Sequence, residues 1–128
     1  MKELFLTGIA ILLMSCNANN TKGEEFAKFN QKFHSDSVFQ MSRIKFPIGG
    51  KKVEGWQERE TWNTKNWEIL KSPVTSKNKF KEFQHKVVYS DTLVTEKYWL
   101  PDAGFSTEVR FQKVDGKWFL VYFNDVNL

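Results

Sequence analysis

Phe105-Ser106-Thr107-Glu108-Val109-Arg110-Phe111-Gln112-Lys113-Val114-Asp115-Gly116-Lys117-Trp118-Phe119-Leu120-Val121-Tyr122-Phe123-Asn124 is two runs of alternating character joined by Asp-Gly. A period of two belongs to strands, and Asp-Gly is a favoured two-residue hairpin turn. Closing the turn there pairs Phe111 with Leu120, Val109 with Tyr122 and Thr107 with Asn124. Phe105, Val109, Phe111, Trp118, Leu120 and Tyr122 then share one face, which must be buried. The opposite face carries Ser106, Glu108, Arg110 and Gln112 on one strand but Phe119, Val121 and Phe123 on the other. An apolar stripe on the outside of a sheet needs a cover, and a self-complementary homodimer contact through Phe119, Val121 and Phe123 is one expectation.

The same period continues upstream, broken at Ser90-Asp91 and at residues 101–104, which predicts three or four antiparallel strands from Phe80 onward. Alternation places Phe83, His85, Val87 and Tyr89 on one face of the first of these strands. It places Val94, Glu96, Tyr98 and Leu100 on one face of the next. The predicted ligand pocket is therefore Phe83, His85, Tyr89, Glu96 and Tyr98, joined by Tyr122 from the last hairpin. His85 and Glu96 facing one apolar cavity would have the makings of an acid/base pair. The plainer alternative is an edge-strand histidine beside a salt-bridged or solvated glutamate, neither doing chemistry.

Ahead of the sheet, Phe26, Phe29 and Phe33 fall at i, i+3 and i+7, which is one stripe of an amphipathic helix. Ser37 and Gln40 have capping-box spacing for a second, shorter helix. Residues 43–48 read as a strand that Pro47 and Gly49-Gly50 end. Residues 51–79, with Trp56, Trp62 and Trp67, have no clean period and read as two short strands or a strand and a helical turn. The fold class expected is α+β, with N-terminal helices packed on a curved antiparallel sheet.

The beginning of the chain carries an address. Lys2 is followed by an apolar run from Leu4 to Leu13, too short for a stable membrane span, and then by Leu13-Met14-Ser15-Cys16. This is the pattern of a secretion signal ending in a lipobox. Residues 1–15 are expected to be removed, Cys16 to be lipidated, and residues 16–23 to form a flexible tether to a single domain over 24–128. The expected location is the cell envelope, with the membrane reached through the lipid on Cys16.

Cys16 is the only cysteine, so once acylated it leaves no thiol for a disulfide, a nucleophile or a zinc site. Two histidines 51 positions apart and no acidic cluster at ligand spacing give no expectation of a metal, and no cofactor motif is present. Removing residues 1–15 takes one Lys and one Glu, which keeps the net charge at +4. That mild, scattered charge, on an exported protein, argues against a nucleic-acid partner. Twelve Phe, five Trp and three Tyr make 16% aromatic residues, enough either to fill a small core or to line a cavity.

Asp36-Ser37-Val38-Phe39-Gln40-Met41-Ser42-Arg43-Ile44-Lys45-Phe46-Pro47-Ile48, supported by Asp115-Gly116-Lys117-Trp118, resembles a family of small uncharacterised lipoproteins of Bacteroides-type bacteria. The resemblance covers residues 24–126. It implies an NTF2-like (cystatin-like) cone, a domain of unknown function, and attachment to the outer membrane on its periplasmic or surface face. The family brings no established activity. Three functions follow as expectations: a non-catalytic module binding a small apolar ligand or a partner protein, a small enzyme of isomerase or lyase type using His85 and Glu96, and a sheet-packed homodimer with a structural role.

Overall fold

The computed structural model describes residues 23–74 and 82–128. Cys16, the expected signal segment and most of the expected tether lie outside the described residues. So does the predicted strand start at Phe80.

The amphipathic stripe forms α1 (Phe26–Ser35), with Phe29 and Phe33 buried and Phe26 half-buried. All three rings converge on Phe111, at centroid distances of 5.4, 5.6 and 5.4 Å for Phe26, Phe29 and Phe33. Each fully buried ring contributes about 2–3 kcal/mol. The chain then turns into α2 (Ser37–Ser42), and here the capping expectation is corrected. Asp36, not Ser37, is the cap, its carboxylate accepting from Phe39 N–H at 3.0 Å. Gln40 is freed for another task.

Seven strands follow: β1 (Ile44–Gly49), β2 (Lys51–Glu54), β3 (Gln57–Thr61), β4 (Gln84–Tyr89), β5 (Leu93–Leu100), β6 (Phe105–Val114) and β7 (Lys117–Asn127). They form one sheet in the order β3-β2-β7-β6-β5-β4, with β1 also pairing β7. The sheet is mixed rather than purely antiparallel, because β1 and β2 lie end to end, both parallel to β7. Gly49-Gly50 ends β1 as expected, Pro47 does not, and Gly50 is also the joint from which β2 continues along β7. Gly50 adopts φ +90°, and a Cβ there would sit 2.0 Å from Phe123 O, so only glycine lets the chain pass.

The last hairpin turns at Asp115-Gly116 as expected, and Phe111 pairs with Leu120. Beyond that point the register shifts: Arg110 pairs with Tyr122, Val109 with Phe123 and Thr107 with Asp125. Val121 is the extra residue of a β-bulge. The bulge exchanges faces, so Phe123 is 7% exposed and belongs to the core, while Tyr122 leaves the core face to lie under Arg110, 4.1 Å from guanidinium to ring centre.

Two polar nodes hold the layers together. Gln40 is fully buried. Its Nε2 donates to Phe33 O and Leu70 O, both at 2.8 Å, and its Oε1 accepts from Leu70 N at 2.9 Å and Trp67 Nε1 at 3.2 Å. The Trp67–Leu70 loop is thereby fixed to the helices, and Trp62 closes the other side by donating Nε1–H to Phe123 O at 2.7 Å. At the N-terminal end, the Glu24 carboxylate accepts from Arg43 Nη1 and Nη2 at 2.6 and 3.0 Å and from Trp118 N at 3.0 Å. Arg43 O accepts in turn from Leu120 N at 2.9 Å. Burial raises the Glu24 pKa, but the Arg43 hydrogen bond, the Trp118 N–H and nearby positive charge outweigh it and hold the carboxyl below its ordinary value.

Candidate functional site

The predicted pocket is only partly assembled. Register places His85 opposite Tyr98 and Val87 opposite Glu96, so the shared face is correct and His85 and Glu96 are diagonal neighbours across it. Their surroundings differ. β4 is an edge strand, and His85 and Tyr89 are exposed there, whereas Glu96 is 3% exposed between Val94 and Tyr98. An exposed histidine diagonal to a buried carboxyl is not the enclosed acid/base pair that was expected. Phe83 stacks on Tyr98 with centroids 4.8 Å apart and planes 3° apart, which fills space that the prediction left open. Tyr122 is on the other side of the sheet, for the reason given by the bulge.

The stripe proposed for dimerisation also dissolves. Phe123 is core, Val121 is the bulged residue, and Phe119 is half-buried beneath its own chain's cations, with Lys45 Nζ at 4.6 Å and the Arg43 guanidinium at 5.8 Å from its ring centre. Phe119 and Val121 border a hollow of about 180 Å³ with Lys45 and Pro47.

What sequence reasoning missed lies at the other end of the same face. Past the bulge, β6 and β7 present Phe105, Thr107, Asp125 and Asn127 inward, and Thr107 Oγ1 donates to Asp125 Oδ1 at 3.1 Å. With Tyr98, Leu70 and Val74 as apolar walls and Lys52 and Glu54 of β2 at the rim, these residues enclose a cleft of about 220 Å³. Leu70, Ser72, Phe123 and Asp125 also border a neighbouring hollow of about 280 Å³ that reaches Trp62, Glu68 and Lys71. The pair together has the size of a small-ligand site, with an apolar floor and a few convergent polar groups. The sequence signal that could have located it is the run from Trp118 to Phe123: six consecutive apolar residues mask the alternation and admit either register.

The charges of the cleft are largely matched internally. Lys52 Nζ lies 3.2 Å from Glu54 and 3.3 Å from Glu68, and Arg59 reaches Glu54 at 2.7 Å. The hydrogen bond to Glu54 raises the Lys52 pKa, so this ammonium stays charged. A separate, larger and more open groove of about 620 Å³ runs along α1 past Phe26, Ala27, Asn30 and His34 to Lys71 and Tyr89. Glu96 belongs to neither hollow. Its Oε2 has no hydrogen-bond partner, and burial pushes its pKa up to about 7. Among the described residues no group of three or more His, Cys, Asp or Glu side chains could hold a metal, and no helix is long and apolar enough to cross a membrane.

Helices at the N-terminus followed by one mixed sheet is the fold this chain shares with solved cystatin-like and NTF2-like proteins. A protein-family model matches residues 24–127, and the chain belongs to that family; solved structures similar to this chain include cystatin-like and NTF2-like proteins of Bacteroides. A crystal structure of a cystatin-like protein from Bacteroides caccae is 26% identical, with a TM-score of 0.63 over 80% of this chain and 76% of that one. The NMR structure of a protein from Bacteroides uniformis is also 26% identical, with a TM-score of 0.59 over 82% of this chain and 77% of that one. An NTF2-like protein from Bacteroides fragilis, 21% identical with a TM-score of 0.56 over 83% of this chain and 48% of that one, shares the fold. No curated protein matches the chain.

Proposed function

We propose that this protein is a non-catalytic binding module of the cell envelope, anchored through a lipid on Cys16 and holding a small ligand in the cleft between β6, β7 and β2. The observation that carries the reading is the β-bulge at Val121. It costs a regular ladder and turns Asp125 and Asn127 inward beside Thr107, where a regular strand would have packed Tyr122 and Asn124. Bulges that re-aim side chains in this way are frequent next to functional sites. The apolar ligand first expected gives place to a polar one, because the rim is Lys52, Glu54, Thr107, Asp125 and Asn127.

A thermal-shift screen of small polar metabolites on residues 17–128 tests the module. The expected result is a saturable rise in melting temperature that Asp125→Ala abolishes. Hits that survive Asp125→Ala, or no hits, would refute the cleft. The anchor is tested separately: Cys16→Ala is expected to move the protein from the membrane fraction to the soluble envelope fraction and to end labelling by palmitate. The isomerase or lyase reading is not carried forward, since it needs His85 enclosed and His85 is exposed.

A further inference from the structure

Building on the cleft as the ligand site, we infer that its ligand is a neutral carbohydrate, and that Trp56 provides the stacking surface beside it. Trp56 is 93% exposed, the most exposed large apolar residue among those described. It stands in the two-residue turn between β2 and β3, two positions past Glu54 of the cleft rim. That turn is docked on the cleft's other wall through Gly55 N–H donating to Asn127 O at 2.7 Å. The turn does not need a tryptophan. Gly55, at φ +60°, takes its left-handed position, and a small polar residue suits the next one better. Nor does packing need it, because an indole left almost wholly in water contributes nothing to the core.

The lining decides the ligand class. Lys52 and Glu54 at the rim are paired with each other and with Glu68 and Arg59 at 2.7–3.3 Å, so an incoming ion would have to break these contacts, and the other carboxylate of the lining, Asp125, is engaged by the Thr107 hydroxyl. What remains is hydrogen-bonding capacity: the amide of Asn127, the hydroxyl of Ser72, and the Asp125 carboxylate, of which one oxygen already takes the Thr107 hydroxyl. Tyr98 and Phe105 add ring surface at the floor. A pyranose offers the matching pair of features, hydroxyls in its plane and C–H patches on its faces. An apolar ligand would strand the polar rim, and leaving buried polar groups unmatched is costly. The neighbouring hollow shares Asp125 and Ser72, so a second sugar unit has a place to extend.

The test uses residues 17–128 with named probes: glucose, galactose, mannose and N-acetylglucosamine, and their β1,4- and α1,4-linked disaccharides, titrated by NMR with amide shifts followed. The expected result is saturable binding of at least one sugar. It perturbs Thr107, Asp125 and Asn127, is tighter for the disaccharide, and is weakened about tenfold or more by Trp56→Ala, which leaves the melting temperature unchanged. Sugars that fail at tens of millimolar while a different polar compound binds with the same amide shifts would overturn the carbohydrate assignment and leave the cleft standing. No binding by any compound would overturn both. Sugar binding that Trp56→Ala leaves intact would refute the role of the indole.

Discussion

Glu96→Gln is the substitution that reads the interior of this fold most directly. The carboxyl is 3% exposed with one oxygen unpartnered, and burial holds its pKa at about 7 against 4.5 for an ordinary glutamate. The folded protein therefore keeps a proton that the unfolded chain gives up. Below pH 4.5 the group is protonated in both states and costs nothing. Between 4.5 and 7 only the unfolded state ionises, so stability falls as pH rises; above 7 both states are ionised and the loss levels off. The gap between 4.5 and about 7, at 1.36 kcal/mol per pH unit, amounts to about 3 kcal/mol. Gln keeps the shape and cannot ionise. Urea denaturation of residues 17–128 and its Glu96→Gln variant from pH 4 to pH 9 is the assay, and the difference between the two cancels every other titrating group. The variant is expected to gain about 3 kcal/mol on the parent across that window. A difference that stays flat within about 0.5 kcal/mol would refute the reasoning. Because Glu96 stands outside the cleft, ligand binding there should not follow the same curve.

Further outcomes follow from the polar nodes and the bulge. Arg43→Ala removes the two guanidinium hydrogen bonds to the Glu24 carboxylate and leaves only that from Trp118 N–H; the two side chains are 13% and 24% exposed, and the change is expected to cost about 3 kcal/mol in chemical denaturation; Arg43→Lys should recover only part of that, since an ammonium cannot match the two-pronged contact. Gln40→Leu leaves Leu70 N–H and Trp67 Nε1–H without their acceptor and is expected to cost about 3–5 kcal/mol, with hydrogen exchange rising first at Leu70. Phe123→Ala should cost about 3–5 kcal/mol without altering the sedimentation coefficient of the folded protein, as a core residue would, whereas an interface residue would change association at little cost in stability.

Periodicity made the architecture readable where it was unambiguous. Phe26, Phe29 and Phe33 announced α1, and the Asp115-Gly116 turn with Phe111 opposite Leu120 announced the final hairpin. Reading failed where two registers had equal apolar merit. Val121, Tyr122 and Phe123 are all apolar, so nothing local says which one is skipped, and the choice was made by Trp62 and Trp67 packing on Phe123 at 5.3 and 5.4 Å from the far side of the chain. The parallel pairing of β1 and β2 with β7 was equally invisible. It depends on Gly50 passing Phe123 O, a contact between positions 73 apart. One missed bulge thus accounts for three errors together: Tyr122 assigned to the pocket, Phe123 to the surface, and Asp125 to neither.

The residues that carry the family resemblance turn out to be structural. Asp36 caps α2, Gln40 clamps the Trp67–Leu70 loop, and Arg43 joins Glu24 to the Asp115-Gly116-Lys117-Trp118 hairpin through Trp118 and Leu120. Each of these contacts secures an element to its neighbour, and Asp36, Gln40 and Arg43 do not themselves line the cleft between β6, β7 and β2. Two proteins can therefore share both motifs, and the fold they specify, while differing in what they hold. On the proposed reading, ligand choice would rest with the side chains past the bulge and at the β2–β3 turn, which the contacts of Asp36, Gln40 and Arg43 do not constrain. Gly23 packs against Gly116 at the start of β7, while the cleft and Trp56 gather around the strand's other end at Asn127. Eleven strand residues at about 3.3 Å each separate the two by roughly 35 Å, so a chain anchored ahead of Gly23 would carry its cleft on the far end of the sheet from its anchor.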